Sequence, residues 1–206
     1  MDYRVWGVLG LLILPAPVWA QCSVLIVGDS LSSGYGLATG SGWVDKLDAR
    51  MKRLTPRWQV VNASVSGDTT QNGLQKLRPA LDRHRPQGVA IQLGGNDALR
   101  GTPPAAVRAN LRSMIQQAKA SGAWVVLFDM PVLPNYGKAY GEAMARLTAE
   151  LAREEGVTRV PCFVCQVGVE PGMMQPDGIH PNEQAQAAML DVVWPVLQPR
   201  LRCPAR

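Results

Sequence analysis

The 206-residue chain holds only two histidines, His84 and His180, so chemistry that needs an imidazole has two candidate positions. With so few ligands around its four cysteines, no segment clusters the donors that an ordinary zinc site requires. It lacks the ~20 consecutive apolar residues that a membrane-spanning helix needs. The G-x-S-x-G elbow of strained-turn hydrolases is absent throughout. Charged residues are sparse, at 18%, and the net charge of +5 comes from scattered positions such as Arg50, Lys52, Arg53, Arg78, Arg83 and Arg85. With no dense basic block and no interleaved aromatics, nucleic acid is not an expected partner. No repeat, low-complexity tract or linker divides the chain, and 47% hydrophobic residues suffice for one buried core.

The start of the chain reads as an export signal. Residues 1–20 carry Arg4, an apolar run from Val5 to Leu14, then Pro15 and Pro17, and end in Val18-Trp19-Ala20. That pattern predicts cleavage after Ala20 and a periplasmic or secreted product, with residues 21–206 as a single domain. In an exported protein, Cys22, Cys162, Cys165 and Cys203 are expected in disulfides. Four cysteines allow three pairings. A local Cys162–Cys165 bridge with Cys22–Cys203 as its companion is favoured, and a redox pair at Cys162-x-x-Cys165 is the alternative.

Apolar β-rich runs alternate with stretches of helical period. Strands are expected at Val24–Val27, Trp58–Asn62, Val89–Leu93, Trp124–Phe128 and Thr158–Val160. Helices are expected at about 42–54, 69–84, 103–120, 138–155 and 182–200. Thr102 is the expected N-cap of the third, with Gly122 just past its end, and Pro195 is expected to kink or shorten the last. Continuous runs such as VAIQL and WVVLF suit a parallel sheet covered on both faces. Loops after the strands then gather on one face, where ligands bind. Cys22 before the first strand and Cys203 after the last helix share the opposite edge.

Ser30 stands directly after the first strand in VLIVGDSLSSGYG, and His180 lies in PDGIHPN, three residues beyond Asp177. In a turn, that spacing lets the carboxylate reach Nδ1 while Nε2 faces outward, the orienting half of a triad. A serine hydroxyl is inert until such a base accepts its proton. Donors for an oxyanion are available from the Ser30 N–H, the Gly67 N–H in NASVSGDTT and the Asn96 amide in LGGNDALRG. Asp29 and Asp97 are read as braces for these turns, and His84 as a helix-terminal imidazole.

The order Gly-Asp-Ser-Leu, Ser-Gly-Asp-Thr, Gly-Gly-Asn-Asp and Asp-Gly-Ile-His-Pro-Asn resembles the GDSL, or SGNH, hydrolases. Ser30, Gly67, Asn96 and His180 stand as the four name residues. VVNASVSGDTTQNGL, NYG and MMQPDGIHPN look most like the exported bacterial thioesterase I, lysophospholipase and arylesterase group. The resemblance implies an α/β, flavodoxin-like three-layer sandwich around a five-stranded parallel sheet. It also implies serine acyl hydrolysis without metal or cofactor, with Ser30 as nucleophile, His180 as base and Asp177 as orienter. The substrates it implies are aryl esters, acyl thioesters and lysophospholipids. Separately, the chain is expected to be a monomer, and its scattered positive charge to allow transient contact with a membrane surface. Two features depart from the family pattern, the cysteines at 162 and 165 and the proline-rich DMPVLPNYG. Both fall where an acyl chain is expected, with Val132, Leu133, Tyr136, Met173 and Met174 as candidate lining. A carbohydrate acetyl-esterase on the same fold and a non-catalytic flavin- or phosphate-binding module are the alternatives.

Overall fold

In the first strand, CSVLIVG, every residue is buried, and alternate side chains enter opposite cores. A strand can be apolar on both faces only when both faces are covered. The computed structural model, which describes residues 21–131 and 137–203, has that arrangement. Five strands, β1 (Cys22–Gly28), β2 (Trp58–Asn62), β3 (Gly88–Gln92), β4 (Trp124–Phe128) and β5 (Thr158–Val160), form one parallel sheet in the order β2-β1-β3-β4-β5. The expected strands are all present, β1 and β3 shifted or extended by one or two residues. Predicted residues 1–20 with their cleavage site, and the candidate lining residues Val132, Leu133 and Tyr136, lie outside the described residues.

The helices are α1 (Ser30–Ser33), α2 (Trp43–Leu54), α3 (Thr70–His84), α4 (Gly95–Leu99), α5 (Pro104–Ala120), α6 (Lys138–Glu155), α7 (Phe163–Val167) and α8 (Ala185–Leu197). Val24 and Ile26 of β1 pack with residues of α2, α7 and α8, including Trp43, Phe163 and Met189. Leu25 and Val27 point the other way, into a core with Leu77 of α3, Leu111 of α5 and Leu147 of α6. The rings of Trp43, Phe128 and Phe163 meet at centroid distances of 5.3–5.8 Å, which locks α2 and α7 to β4.

Two helix boundaries differ from expectation. Thr102 does not cap α5: its N–H bonds the Asp97 carbonyl at 2.9 Å, closing the turn after α4, and Pro103 is the capping residue instead. The last helix starts three residues late because the Asn182 side chain accepts from the N–H groups of Gln184 and Ala185, forming a polar turn ahead of it. Pro195 sits inside α8, which ends two residues later and tightens into a 3₁₀ turn at Gln198–Arg200.

Both favoured disulfides are present, Cys22–Cys203 with Cα atoms 5.9 Å apart and Cys162–Cys165 at 5.2 Å. The first lies at the start of β1, the edge away from Ser30. Among the described residues no helix is long and apolar enough to cross a membrane.

Candidate active site

Strand order reverses between β1 and β3, whose following helices lie on opposite faces. A crevice opens there beyond the carboxyl ends of the strands. Ser30 enters it as the first residue of α1. Asp29 accepts from the Leu31 N–H at 3.0 Å and so caps that short helix. Because α1 begins at Ser30, the Ser30 N–H has no carbonyl in the preceding turn to bond.

The turn is braced from below. Gln92, buried at the end of β3, donates to Asp29 Oδ1 at 3.1 Å and accepts from Ser32 Oγ at 2.6 Å. Burial pushes the Asp29 carboxyl up to about 6, although its bonds from Leu31 and Gln92 pull the other way. Asp97 holds the next loop by accepting from the Thr70 N–H and hydroxyl at 2.8 and 2.7 Å. Asp29 and Asp97 thus brace their turns, and His84 closes α3 at its last residue.

His180 arrives on the loop before α8. Its Nε2 lies 2.8 Å from Ser30 Oγ, and its Nδ1 lies 2.7 Å from Asp177 Oδ2. Gly178, at φ +67, makes the turn that brings Asp177 and His180 together. Asp177 Oδ1 also accepts from the N–H groups of His180 and Ile179 at 3.0 and 2.9 Å. These bonds, the His180 N–H first, hold the Asp177 carboxyl down at about 2. With Asp177 ionised, Nδ1 carries the hydrogen and Nε2 is free to accept the Ser30 proton. Tyr35 packs against the imidazole at 4.7 Å between ring centroids. Gln175 ties that segment to the histidine loop by donating to the carbonyls of Tyr35 and Pro181.

A cavity of about 270 Å³ opens beside this triad, lined by Ser30, His180 and Asn96 together with mostly apolar groups. The Asn96 amide donates one hydrogen to the Asp68 carbonyl at 3.0 Å and has a second to offer. Gly67, at φ +83, lies in the adjoining turn, where its carbonyl accepts from Arg100, and it is not part of the cavity lining. Ser33 and Ser66 bond at 2.8 Å and hold that turn against α1. Among the described residues no three His, Cys, Asp or Glu side chains stand together as a metal site.

Residues 26–188 match the model of the GDSL-like lipase/acylhydrolase family. The chain belongs to that family. Esterase TesA of Pseudomonas aeruginosa is 46% identical over 195 residues, covering 95% of this chain and 96% of the relative. Thioesterase 1/protease 1/lysophospholipase L1 of Escherichia coli is 40% identical over 191 residues, covering 93% and 90%. Among solved structures, the psychrotrophic esterase EstA of Pseudoalteromonas, inhibited by monoethylphosphonate, superposes with a TM-score of 0.83 at 30% identity. The match covers 87% of this chain and 98% of that one.

Of the candidate lining residues of this GDSL-family chain, Met174 faces the cavity. Met173, its neighbour, packs instead against the core beneath α2, α7 and α8. That is a correction, and its cause is local: the Met174–Pro181 bridge extends the backbone, so successive side chains point opposite ways. Cys165 and Pro131, from the two segments where an acyl chain was expected, line the cavity, whereas Leu31, Leu99, Val164 and Ile179 were not anticipated there. Their positions after β1, β3 and β5 were the available signal, since such loops share one face.

Proposed function

We propose that this acyl hydrolase cleaves acyl esters and thioesters by transfer of the acyl group to Ser30. The observation that carries the reading is the unbroken relay Asp177–His180–Ser30, with both links under 3 Å. His180 Nε2 takes the Ser30 proton as Oγ attacks the carbonyl carbon. The oxygen then gains charge next to the Ser30 N–H, the Gly67 N–H and the Asn96 amide. Collapse expels the thiolate or alkoxide, which leaves with the proton from His180, and an acyl-enzyme remains. Water, deprotonated by His180, releases the acid and restores Ser30.

Asp177 keeps the imidazole in the reactive tautomer and stabilises its cation. The apolar lining around Leu31, Pro131, Val164 and Met174 suits an acyl chain better than a sugar, and the names of the relatives support aryl esters, acyl thioesters and lysophospholipids as substrates. One sheet with a core on each face supports a single domain over 21–206, and the N-terminal pattern supports export after cleavage at Ala20.

The decisive experiment is Ser30→Ala, assayed on 4-nitrophenyl acetate and an acyl-CoA. Both activities are expected to vanish, as is the covalent incorporation of one phosphonate per chain. Wild-type turnover in Ser30→Ala would refute the mechanism.

A further inference from the structure

One wall of the cavity is built from α7, which is only five residues long and too short to persist without support. Phe163, Val164 and Val167 anchor it in the core from one side. The Cys162–Cys165 bridge spans its first turn, with Cys162 at the N-cap, where its sulfur accepts from the Cys165 N–H at 3.3 Å. Val164 and Cys165 of this single turn, and Gly168 just past it, line the cavity. Gly168 lies beside the histidine loop: a Cβ there would stand 3.7 Å from Met174 Sδ, an ordinary contact distance, so Met174 is the next group along the same wall.

We propose that the Cys162–Cys165 bridge determines acyl-chain preference, by fixing α7 as the surface against which a long acyl chain packs. A decanoyl chain carries many more methylenes than an acetyl group to pack against that wall. Contacts remote from the reacting carbonyl are expressed in kcat/KM when they hold the transition state. Opening the bridge frees the first turn of α7 and loosens those contacts, so long-chain substrates lose more than short ones. This inference rests on the acyl-enzyme reading given above.

The test compares kcat/KM for 4-nitrophenyl decanoate and 4-nitrophenyl acetate in the exported, oxidised protein and in Cys162→Ser/Cys165→Ser. The decanoate-to-acetate ratio is expected to fall roughly tenfold, the scale set by a few hydrophobic contacts in a pocket. Cys22→Ser/Cys203→Ser removes the other bridge, at the far edge of the sheet, and is expected to leave the ratio unchanged, which separates wall geometry from general loosening. Val164→Ala trims the same wall with the bridge intact and is expected to lower the ratio too, so the proposal stays testable if the double serine variant folds poorly. A ratio that stays level or rises in Cys162→Ser/Cys165→Ser and in Val164→Ala overturns the proposal. So does an equal fall in Cys22→Ser/Cys203→Ser. Ser30→Ala distinguishes this failure from failure of the mechanism, since it removes both activities whatever sets the ratio.

Discussion

Replacing Asp29 by asparagine should make the protein more stable at neutral pH. The carboxyl is 2% exposed and is pushed from its ordinary 3.8 to about 6 by burial. At ~1.4 kcal/mol per pKa unit, the ionised form costs the fold roughly 3 kcal/mol. The pH dependence follows from the raised value. Below pH 3.8 the group is protonated in both folded and unfolded chains and costs nothing. As pH rises towards about 6 the unfolded chain ionises first, so stability falls, and above that the full cost is present. In Asp29→Asn the side-chain oxygen can still accept from the Leu31 N–H and Gln92 amide, which donate at 3.0 and 3.1 Å, and asparagine caps a helix as well as aspartate does. Urea unfolding at pH 8 should show a midpoint higher by about 1 M, given a slope of a few kcal/mol per molar. At pH 4 the two proteins should unfold together. A variant that is no more stable at pH 8, or whose advantage is the same at both pH values, would show that the buried carboxylate carries no such cost.

Asn96→Ala should lower kcat about 10²–10³-fold with a smaller change in KM, because its second amide hydrogen is proposed to act on the oxyanion. Steady-state kinetics on an aryl ester check this, and an effect confined to KM would remove Asn96 from that role. Cys22→Ser/Cys203→Ser opens a bridge between residues 181 apart, and denaturant unfolding should register a loss of about 4 kcal/mol. A loss below about 1 kcal/mol would mean that the unfolded chain gains little freedom when this bridge is removed.

The sheet was legible because double-sided burial leaves an unmistakable trace: β1, β3 and β4 are apolar at nearly every position. Asp177 and His180 were legible because both partners sit within one four-residue turn, so the spacing itself encodes the contact. What joins them to Ser30 is topology, since 150 positions separate the histidine from the serine. Elements of four or five residues were not legible, because α1, α4 and α7 span barely one turn and have no period to detect. Nor was the support beneath the serine. Gln92 lies in an apolar run and looks like any strand polar residue, yet it bonds both Asp29 and Ser32 across 60 or more positions. Thr102 and Pro103 were ambiguous for a related reason. A threonine before a proline suits a cap, and only the three-dimensional turn shows that its N–H is already taken by Asp97.

The Cys22–Cys203 bridge also governs how the molecule carries force. Nearly the whole described domain lies between these two residues, so its backbone closes into a covalent ring. Tension applied through segments outside that ring crosses a single sulfur–sulfur bond without stretching the sheet, α7 or the histidine loop. Only when that bond is cut does pulling on the two ends draw the domain apart.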